Sequence, residues 1–438
     1  MSKLLVTMLA CCYLSVDLLA YPLNGTDSGI RRLEGSRLAQ EQPRIAKLPS
    51  GALLGIEDIQ LHLLQQTDWD INATTQDPSL QAALKAMFSD RDPSYSIALI
   101  DFTDSHNIRW AGLRENRAQA PGSVGKILCM LALFDGLRHA FPAIEDRQRL
   151  LREHIITAEN WVISDEHKVP RFDASTGIMT SAIIQPGEAF TLSEWLDHMI
   201  SASANAAGST IWKEAMLLRV FGAAYPPSPQ QEADFFHLTP RQTQKNLAQE
   251  IINDALFAAS LNPEYLRVGN FWTRTGKQRI PGIGGSSATP KELARFFLRL
   301  EQGRLVDEWS SLEMKRFLYM TKRRYRYAYP PELAKAAIYF KSGSLYRCKE
   351  EVGYRCGKYM GNVENAMNSV VIIESPAKPD TEQRRYLVAL TSNVLRKNSA
   401  WDHARIGAAI EELVRHGNAV PVNDLGDNAV IRDAGLSE

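Results

Sequence analysis

Two residues with complementary chemistry, Ser123 and Lys126, stand three apart at the start of a long apolar stretch. In a helix, that spacing places the hydroxyl and the amine on one face. A serine hydroxyl is a poor nucleophile unless a base takes its proton, and a lysine can be that base when burial and a second cation lower its pKa. The free N–H groups of the first helical turn can stabilise an oxyanion. The pair therefore predicts a serine acyl-transfer site.

A second group, Ser203-Ala-Asn205, lies among small residues at a predicted junction between two helices. Small residues allow another element of the chain to approach closely. A serine can relay a proton, and an asparagine amide can hydrogen-bond both Lys126 and a substrate amide. The alternative interpretation is a plain helix end with no part in catalysis.

A third group, Lys341-Ser-Gly-Ser344, follows an apolar strand predicted for residues 336–340. Lys341 is expected to point into a groove at the sheet edge, where a second cation would lower the pKa of Lys126 and attract an anionic substrate. Gly343 would let a ligand approach the backbone closely, and the N–H groups of Ser344 and Ser123 could form an oxyanion hole. The alternative is a turn at a strand end.

Taken in order, these three motifs (S-x-x-K, S-x-N and K-S-G) resemble those of the serine β-lactamase and penicillin-binding protein superfamily, and class A β-lactamases most of all. The resemblance covers roughly residues 77–415. It implies that Ser123 is the acylated nucleophile and Lys126 the base or proton relay. It also implies that Ser203 passes a proton to the leaving nitrogen.

The same resemblance implies the substrate contacts. Asn205 would hold the substrate amide, Lys341 and Ser342 would engage the substrate carboxylate, and Gly343 and Ser344 would line the same strand edge. No metal and no cofactor is expected.

The chain departs from class A β-lactamases in the Ω-loop, where those enzymes carry a glutamate that activates the deacylating water. The equivalent stretch here, residues 271–280, holds no carboxylate, and Glu264 is the nearest upstream candidate, with a solvated loop residue as the alternative. Acylation is therefore expected, whereas rapid turnover of a β-lactam is not.

Composition excludes several classes of protein. The 438 residues contain 50 basic and 50 acidic side chains, so no nucleic-acid partner is expected. The basic-aromatic run at residues 322–327 is accordingly interpreted as a solvated helix end or loop. The five cysteines lack the spacing of a zinc site, and Cys348 and Cys356 are either a disulfide pair or two free thiols. Cys129 is expected to be buried helix packing.

Hydrophobic patterning predicts the elements that position these groups. They are a helix capped by Asp77, strands at residues 95–102 and 108–112, the serine helix at 123–139, helices capped by Thr191 and Thr289, strands at 336–340, 369–374 and 385–391, and a last helix at 401–415. The order suggests an α+β fold, an antiparallel sheet flanked by helices with an inserted all-helical domain at about residues 144–284. The family resemblance implies the β-lactamase/transpeptidase type of this fold.

The ends of the chain are assigned by composition. Residues 1–25 are predicted to be an export signal, and Cys11 lies in a weak lipoprotein-type site. Residues 26–76 would form an N-terminal extension before the catalytic domain at 77–415, with a tether at 21–50 and a short amphipathic helix at 56–68. A flexible tail would follow at 416–438. No other stretch is long and apolar enough for a membrane span.

Three functions follow from these residues. The first is an exported, monomeric serine hydrolase that opens β-lactam amides through an acyl-Ser123 intermediate. The second keeps this chemistry for a D-Ala-D-Ala peptide or another peptide or ester, because the Ω-loop glutamate is missing. The third is a non-catalytic binding module of the same fold.

Overall fold

The computed structural model describes residues 25–42, 48–282, 284–321 and 326–417. The predicted leader with Cys11 and the predicted tail therefore lie almost entirely outside the described residues.

The described residues form eleven β-strands and twelve α-helices. The strands are β1 Ser96–Asp101, β2 Arg109–Leu113, β3 Ile155–Thr157, β4 Lys168–Asp173, β5 Ile178–Ile183, β6 Ala189–Thr191, β7 Leu266–Arg267, β8 Ser287–Ala288, β9 Ala337–Arg347, β10 Glu364–Ser375 and β11 Arg384–Asn393. The helices are α1 Arg31–Glu41, α2 Pro78–Met87, α3 Lys126–Ala140, α4 Ile144–Glu153, α5 Leu192–Ile200, α6 Asn205–Phe221, α7 Pro229–Leu238, α8 Arg241–Ala258, α9 Arg274–Arg279, α10 Pro290–Glu301, α11 Glu308–Tyr319 and α12 Ser399–His416.

A five-stranded antiparallel sheet in the order β2-β1-β11-β10-β9 is the centre of the fold. Successive side chains of a strand point to opposite faces, and β1 shows this directly. Ile97 and Leu99 face a core shared with α2 and α12. Ala98 and Ile100 face the core that contains α10 and α11. The predicted α+β fold, an antiparallel sheet flanked by helices, is confirmed, and β9 lies at the edge of the sheet.

Helix α3 passes through the middle of the larger core and packs against α6 and α8. Its apolar side chains, Leu131 and Phe134 among them, are fully buried. Burial of such side chains contributes about 1.5–3 kcal/mol each to the free energy of folding. The helix that begins at Lys126 is therefore a rigid platform.

The block between β2 and β9 is largely helical, but it is not all helix. The predicted all-helical domain at about residues 144–284 contains the hairpin β4–β5 and the pair β3–β6. Strand β5 is mostly half-buried or exposed, so its sequence shows only a weak alternation of apolar and polar residues. Pro170 in β4 is a residue typical of loops. Both features hide this hairpin in the sequence.

The three predicted helix caps are present. The side chains of Asp77, Thr191 and Thr289 each accept a hydrogen bond from a backbone N–H in the first turn of α2, α5 and α10. Such caps depend on a few neighbouring residues, so the sequence alone suffices to find them.

The prediction of a tether at residues 21–50 is wrong for the described part, because α1 lies there with Ile30 and Leu33 buried in the core. The amphipathic helix predicted for residues 56–68 is reduced to a single 3₁₀ turn at Ile56–Asp58. Within the described residues, no helix combines the length and the apolar character needed to cross a membrane.

Candidate active site

The candidate nucleophile lies in a 3₁₀ turn, Gly122–Gly125, that leads into α3. Gly122 has φ +51°, in the left-handed region that favours glycine, and Val124 N–H closes the turn on the Pro121 carbonyl at 3.1 Å. Ser123 is partly exposed in this turn. The Pro-Gly sequence thus places Ser123 in the turn just before the N-terminus of α3.

The fully buried Lys126 is the next polar group along α3. Its Nζ lies 3.1 Å from Ser123 Oγ, 2.6 Å from the Ser203 carbonyl oxygen and 2.8 Å from Asn205 Oδ1. Nζ is thus within hydrogen-bond distance of three oxygen atoms. A lysine held this way is in hydrogen-bond contact with the hydroxyl it would have to deprotonate.

Ser203 lies between α5 and α6 with φ +64°, a conformation uncommon for a serine. Its carbonyl accepts from Lys126, and its hydroxyl accepts from Lys341 Nζ at 2.8 Å. Lys341 also donates to the Ser342 carbonyl at 3.0 Å. Two lysine side chains, one from α3 and one from β9, therefore contact the same serine.

Asn205 begins α6, and the neighbouring Ala206 N–H donates to Asp165 Oδ2 at 2.8 Å. Burial raises the pKa of the Asp165 carboxyl, but hydrogen bonds from His167 and from Ala206 N–H outweigh it and hold that pKa below its usual value. The resulting negative charge suits a helix N-terminus. Asp165 therefore fixes the helix end that carries Asn205, a contact that the sequence analysis missed.

Strand β9 lies directly against the serine turn. A Cβ atom on Gly343 would lie 2.1 Å from the Pro121 carbonyl oxygen and 2.7 Å from Ser123 N. A Cβ on Gly122 would lie 3.1 Å from Ser344 N. Gly343 was expected to let a ligand approach. In the structure, its missing side chain lets the backbone of the serine turn approach.

Two side-chain amides connect the residues just before the serine turn to the sheet. Asn368, which pairs with Gly343 across β9 and β10, donates to the Ala120 carbonyl at 3.0 Å. Gln119 Nε2 donates to Asn368 Oδ1 at 2.8 Å. These contacts fix the distance between Ser123 and β9.

A buried arginine lies behind Ser342. Arg326 donates to Ser342 Oγ at 2.8 Å and to the Tyr359 hydroxyl at 2.7 Å, and its guanidinium lies 4.7 Å from the centre of the Tyr359 ring. The solvated interpretation of residues 322–327 is therefore wrong for Arg326 and Tyr327, which are both buried. The signal that could have found Arg326 is a basic residue just upstream of the β9 motif.

The stretch without a carboxylate, residues 271–280, places an indole beside the lysine. The Trp272 ring centre lies 4.9 Å from Lys126 Nζ. Cβ atoms on Gly125 and Gly208 would approach this ring to 3.2 and 2.5 Å, so the two glycines make room for it. Glu264, the carboxylate considered for deacylation, is exposed in its loop, where its amide donates to Asn262.

The structure shows which of the two alternatives holds for Cys348 and Cys356, and it places Cys129 as predicted. Cys348 and Cys356 form a disulfide in the segment that continues β9. Cys129 is buried in α3, and burial raises the pKa of its thiol to about 12.

The structure thus brings most of the predicted residues together. Hydrogen bonds connect Ser123, Lys126, Ser203, Asn205 and Lys341. The backbone at Gly343 and Ser344 adjoins the same turn. Ser342 differs, because its side chain is buried against Arg326.

A scan against known protein families finds no match, and a search of curated proteins finds none either. Several solved structures are similar. One is a class A β-lactamase from Bacteroides cellulosilyticus, with 14% identity, a TM-score of 0.49, and coverage of 78% of this chain and 98% of that one. Another is a β-lactamase from Chitinophaga pinensis, with 14% identity, a TM-score of 0.47, and coverage of 77% and 98%. A third is a PBP-A mutant in an acyl-enzyme complex with penicillin G, with 13% identity, a TM-score of 0.45, and coverage of 77% and 98%. At these values the likeness does not by itself assign an activity.

Proposed function

We propose that this chain is a serine hydrolase of the serine β-lactamase and penicillin-binding protein type, which opens a cyclic amide or a peptide bond through an acyl-Ser123 intermediate. The observation that carries the proposal is the connected set of contacts around Lys126. Its Nζ lies 3.1 Å from Ser123 Oγ, and it shares Ser203 with Lys341. A nucleophile within hydrogen-bond reach of an oriented base is the arrangement that acyl transfer requires.

In the first step, Ser123 Oγ attacks the carbonyl carbon of the amide, and its proton passes to Lys126 Nζ, which acts as a neutral amine. The new C–O bond leaves negative charge on the carbonyl oxygen, which the N–H groups of Ser123 and Ser344 would stabilise. Collapse then breaks the C–N bond. The leaving nitrogen takes a proton from Ser203 Oγ, and Lys341 Nζ, at 2.8 Å, gives a proton back to that oxygen. Asn205 would hold the substrate amide, and the step ends with acyl-Ser123 and a free amine.

The substrate would carry a carboxylate. Lys341 supplies one positive charge at the edge of β9, and Arg326 supplies a second behind Ser342. An arginine bonded to a serine hydroxyl directs that hydroxyl and adds charge that favours an anion. This assignment places Lys341 in the substrate site, with the buried Ser342 hydroxyl and Arg326 in support.

Hydrolysis of acyl-Ser123 would be slow. A water molecule needs a base beside the ester, and residues 271–280 offer the Trp272 indole at Lys126 instead of a carboxylate. This observation favours a second candidate, a D-Ala-D-Ala peptidase-like or other peptide or ester hydrolase that turns β-lactams over slowly. Export from the cytoplasm is proposed with it, since a disulfide such as Cys348–Cys356 persists in oxidising compartments.

A labelling experiment tests the proposal. Wild-type protein, Ser123→Ala and the control Ser175→Ala, which changes an exposed serine in the β4–β5 turn, are incubated with a fluorescent penicillin. We expect covalent label on the wild type and the control, and none on Ser123→Ala. Folded wild-type protein that takes no label would overturn the proposal and leave a binding module or an unrelated ester substrate.

A chromogenic cephalosporin separates the two candidates. Steady colour development by unlabelled wild-type protein would favour efficient β-lactam hydrolysis. A single burst, with an acyl adduct that persists in the intact mass spectrum, would favour the peptide or ester hydrolase.

A further inference from the structure

Helix α1 is docked against the block that carries Ser203. A Cβ on Gly35 would lie 2.6 Å from the Phe172 ring and 2.3 Å from Met179 Sδ, so α1 packs closely on the β4–β5 hairpin. Ile30 and Leu33 are buried in the large core. The N-terminal segment therefore belongs to the same packed body as the candidate active site.

Arg32 is the polar contact of this helix with the interior. Only 2% of it is exposed. Its Nε and Nη2 donate to the two carboxylate oxygens of Asp197, each at 2.5 Å. Nη2 also lies 3.3 Å from Ser201 Oγ and 2.9 Å from the Met320 carbonyl oxygen. One guanidinium thus contacts the last turn of α5 and the end of α11.

The last turn of α5 leads directly into the catalytic serine relay. Ser201 N–H donates to the Asp197 carbonyl at 2.8 Å, and Ala204 N–H returns to the His198 carbonyl at 2.9 Å. Ser203 lies within this return with φ +64°. The position of its hydroxyl and its carbonyl therefore depends on how the end of α5 is held.

Packing alone does not explain a buried arginine at this place. Removing two charges from water costs several kcal/mol per ion, and an apolar pair of similar size is often as stable. What the ion pair adds is direction, because a planar guanidinium bonded to both carboxylate oxygens fixes the relative position of the two helices.

We propose that Arg32 is a positioning residue for Ser203, acting through the last turn of α5, and that α1 is therefore part of the catalytic domain. The proposal about rate rests on the proposed acyl transfer at Ser123. A displacement of reacting groups by about 1 Å can cost about a hundredfold in rate. Small shifts of this turn should therefore change the acylation rate strongly.

The test compares Arg32→Gln with Arg31→Gln. Arg31 is the matched control, because it pairs with Glu194 on the same α5 helix but its side chain is 53% exposed. Acylation by the fluorescent penicillin is measured at a temperature well below the melting of both variants. We expect the maximal acylation rate of Arg32→Gln to fall about tenfold or more, with unchanged non-covalent binding, and Arg31→Gln to match the wild type. A folded Arg32→Gln protein with the wild-type rate overturns the proposal.

Two further variants test the proposal if Arg32→Gln does not fold. Ser201→Ala removes only the 3.3 Å contact and should lower the acylation rate by a smaller factor, while Arg32→Lys should retain part of it. If neither changes the rate while Arg32→Gln does not fold, Arg32 is structural only and the proposal is wrong.

Hydrogen exchange separates this proposal from the proposed function, because it needs no substrate. Peptides that cover residues 201–206 should exchange faster in the Arg32 variants than in the wild type, and peptides from β10 should not. Wild-type protein that takes no label would overturn the acyl-transfer proposal alone. Unchanged exchange at residues 201–206 would overturn the positioning role.

Discussion

Lys341 Nζ donates to Ser203 Oγ at 2.8 Å across 138 residues of sequence. The contact joins the edge strand of the sheet to the helical block, while Lys126 holds the carbonyl of the same serine. The hydroxyl of Ser203 is thus provided with its own cation.

Replacing Lys341 should slow the acylation of Ser123. In Lys341→Ala, Ser203 loses the cation beside its hydroxyl, and protonation of the leaving nitrogen becomes slower. General acid–base help of this kind is worth about a hundredfold or more in rate. The labelling rate with fluorescent penicillin measures it, and Lys335→Ala, an exposed lysine just before β9, is the control. Equal rates in the two variants would contradict the role of Lys341.

Gly343→Ala should disturb the serine turn. The new methyl group would lie 2.1 Å from the Pro121 carbonyl oxygen, a backbone atom that cannot rotate away. Overpacking of this kind costs about 1–3 kcal/mol, and urea unfolding should show it together with a lower labelling rate. Gly285→Ala, where a Cβ meets nothing within 4 Å, should be neutral. An unchanged labelling rate in Gly343→Ala would show that the turn relaxes freely.

Arg326→Gln should weaken the binding of substrates that carry a carboxylate. Charge-assisted hydrogen bonds contribute about 1.5–3 kcal/mol, which corresponds to about a ten- to hundredfold loss of affinity. The apparent binding constant for acylation is compared between a penicillin and its methyl ester. The loss should be confined to the free acid, and Arg396→Gln, on an exposed pair with Glu351, should leave both unchanged. Equal losses for acid and ester would exclude a role for the charge.

Stability should fall in acid because of buried histidines. Burial, with Arg32 next in importance, lowers the pKa of His198 to about 3, and burial lowers that of His403 to about 3 as well. Each histidine stays neutral in the folded chain and is protonated in the unfolded chain below its ordinary pKa near 6.5. Stability is therefore complete above about pH 6.5 and is lost as the pH falls towards 3, by up to about 1.4 kcal/mol per pH unit for each histidine.

His198→Leu tests this origin of the acid sensitivity. Neither ring nitrogen of His198 has a hydrogen-bond partner among the described residues, so an apolar side chain should be tolerated at pH 7. Urea unfolding between pH 7 and pH 4 should show a shallower decline than in the wild type. His106→Gln, which changes an exposed histidine, should leave the slope unchanged. A wild-type slope in His198→Leu would place the acid sensitivity elsewhere.

The predictable part of this molecule is the part set by short-range sequence. Caps such as Thr191 and the strands of the central sheet follow from a few neighbouring residues. Helix α1 was not predicted because Gly, Ser and Arg in its sequence resemble a tether, whereas its contacts are with distant residues, such as Asp197 at 165 residues from Arg32.

The site divides in the same way. Ser123, Lys126, Ser203, Asn205 and Lys341 stand in motifs whose spacing can be read from the sequence. Trp272 and Asp165 reach the site only through contacts between distant segments. Their residue types carry no local pattern, so a single sequence does not identify them.

The cysteines have a practical consequence. Within the described residues, Cys348 and Cys356 are paired with each other, and Cys129 is buried with a thiol pKa raised to about 12. Thiolates, rather than thiols, react with alkylating reagents, so these positions are protected from such reagents. Among the described residues, Ser123→Cys would then add one reactive thiol just before α3, where a fluorophore could report on ligand entry without any acyl chemistry.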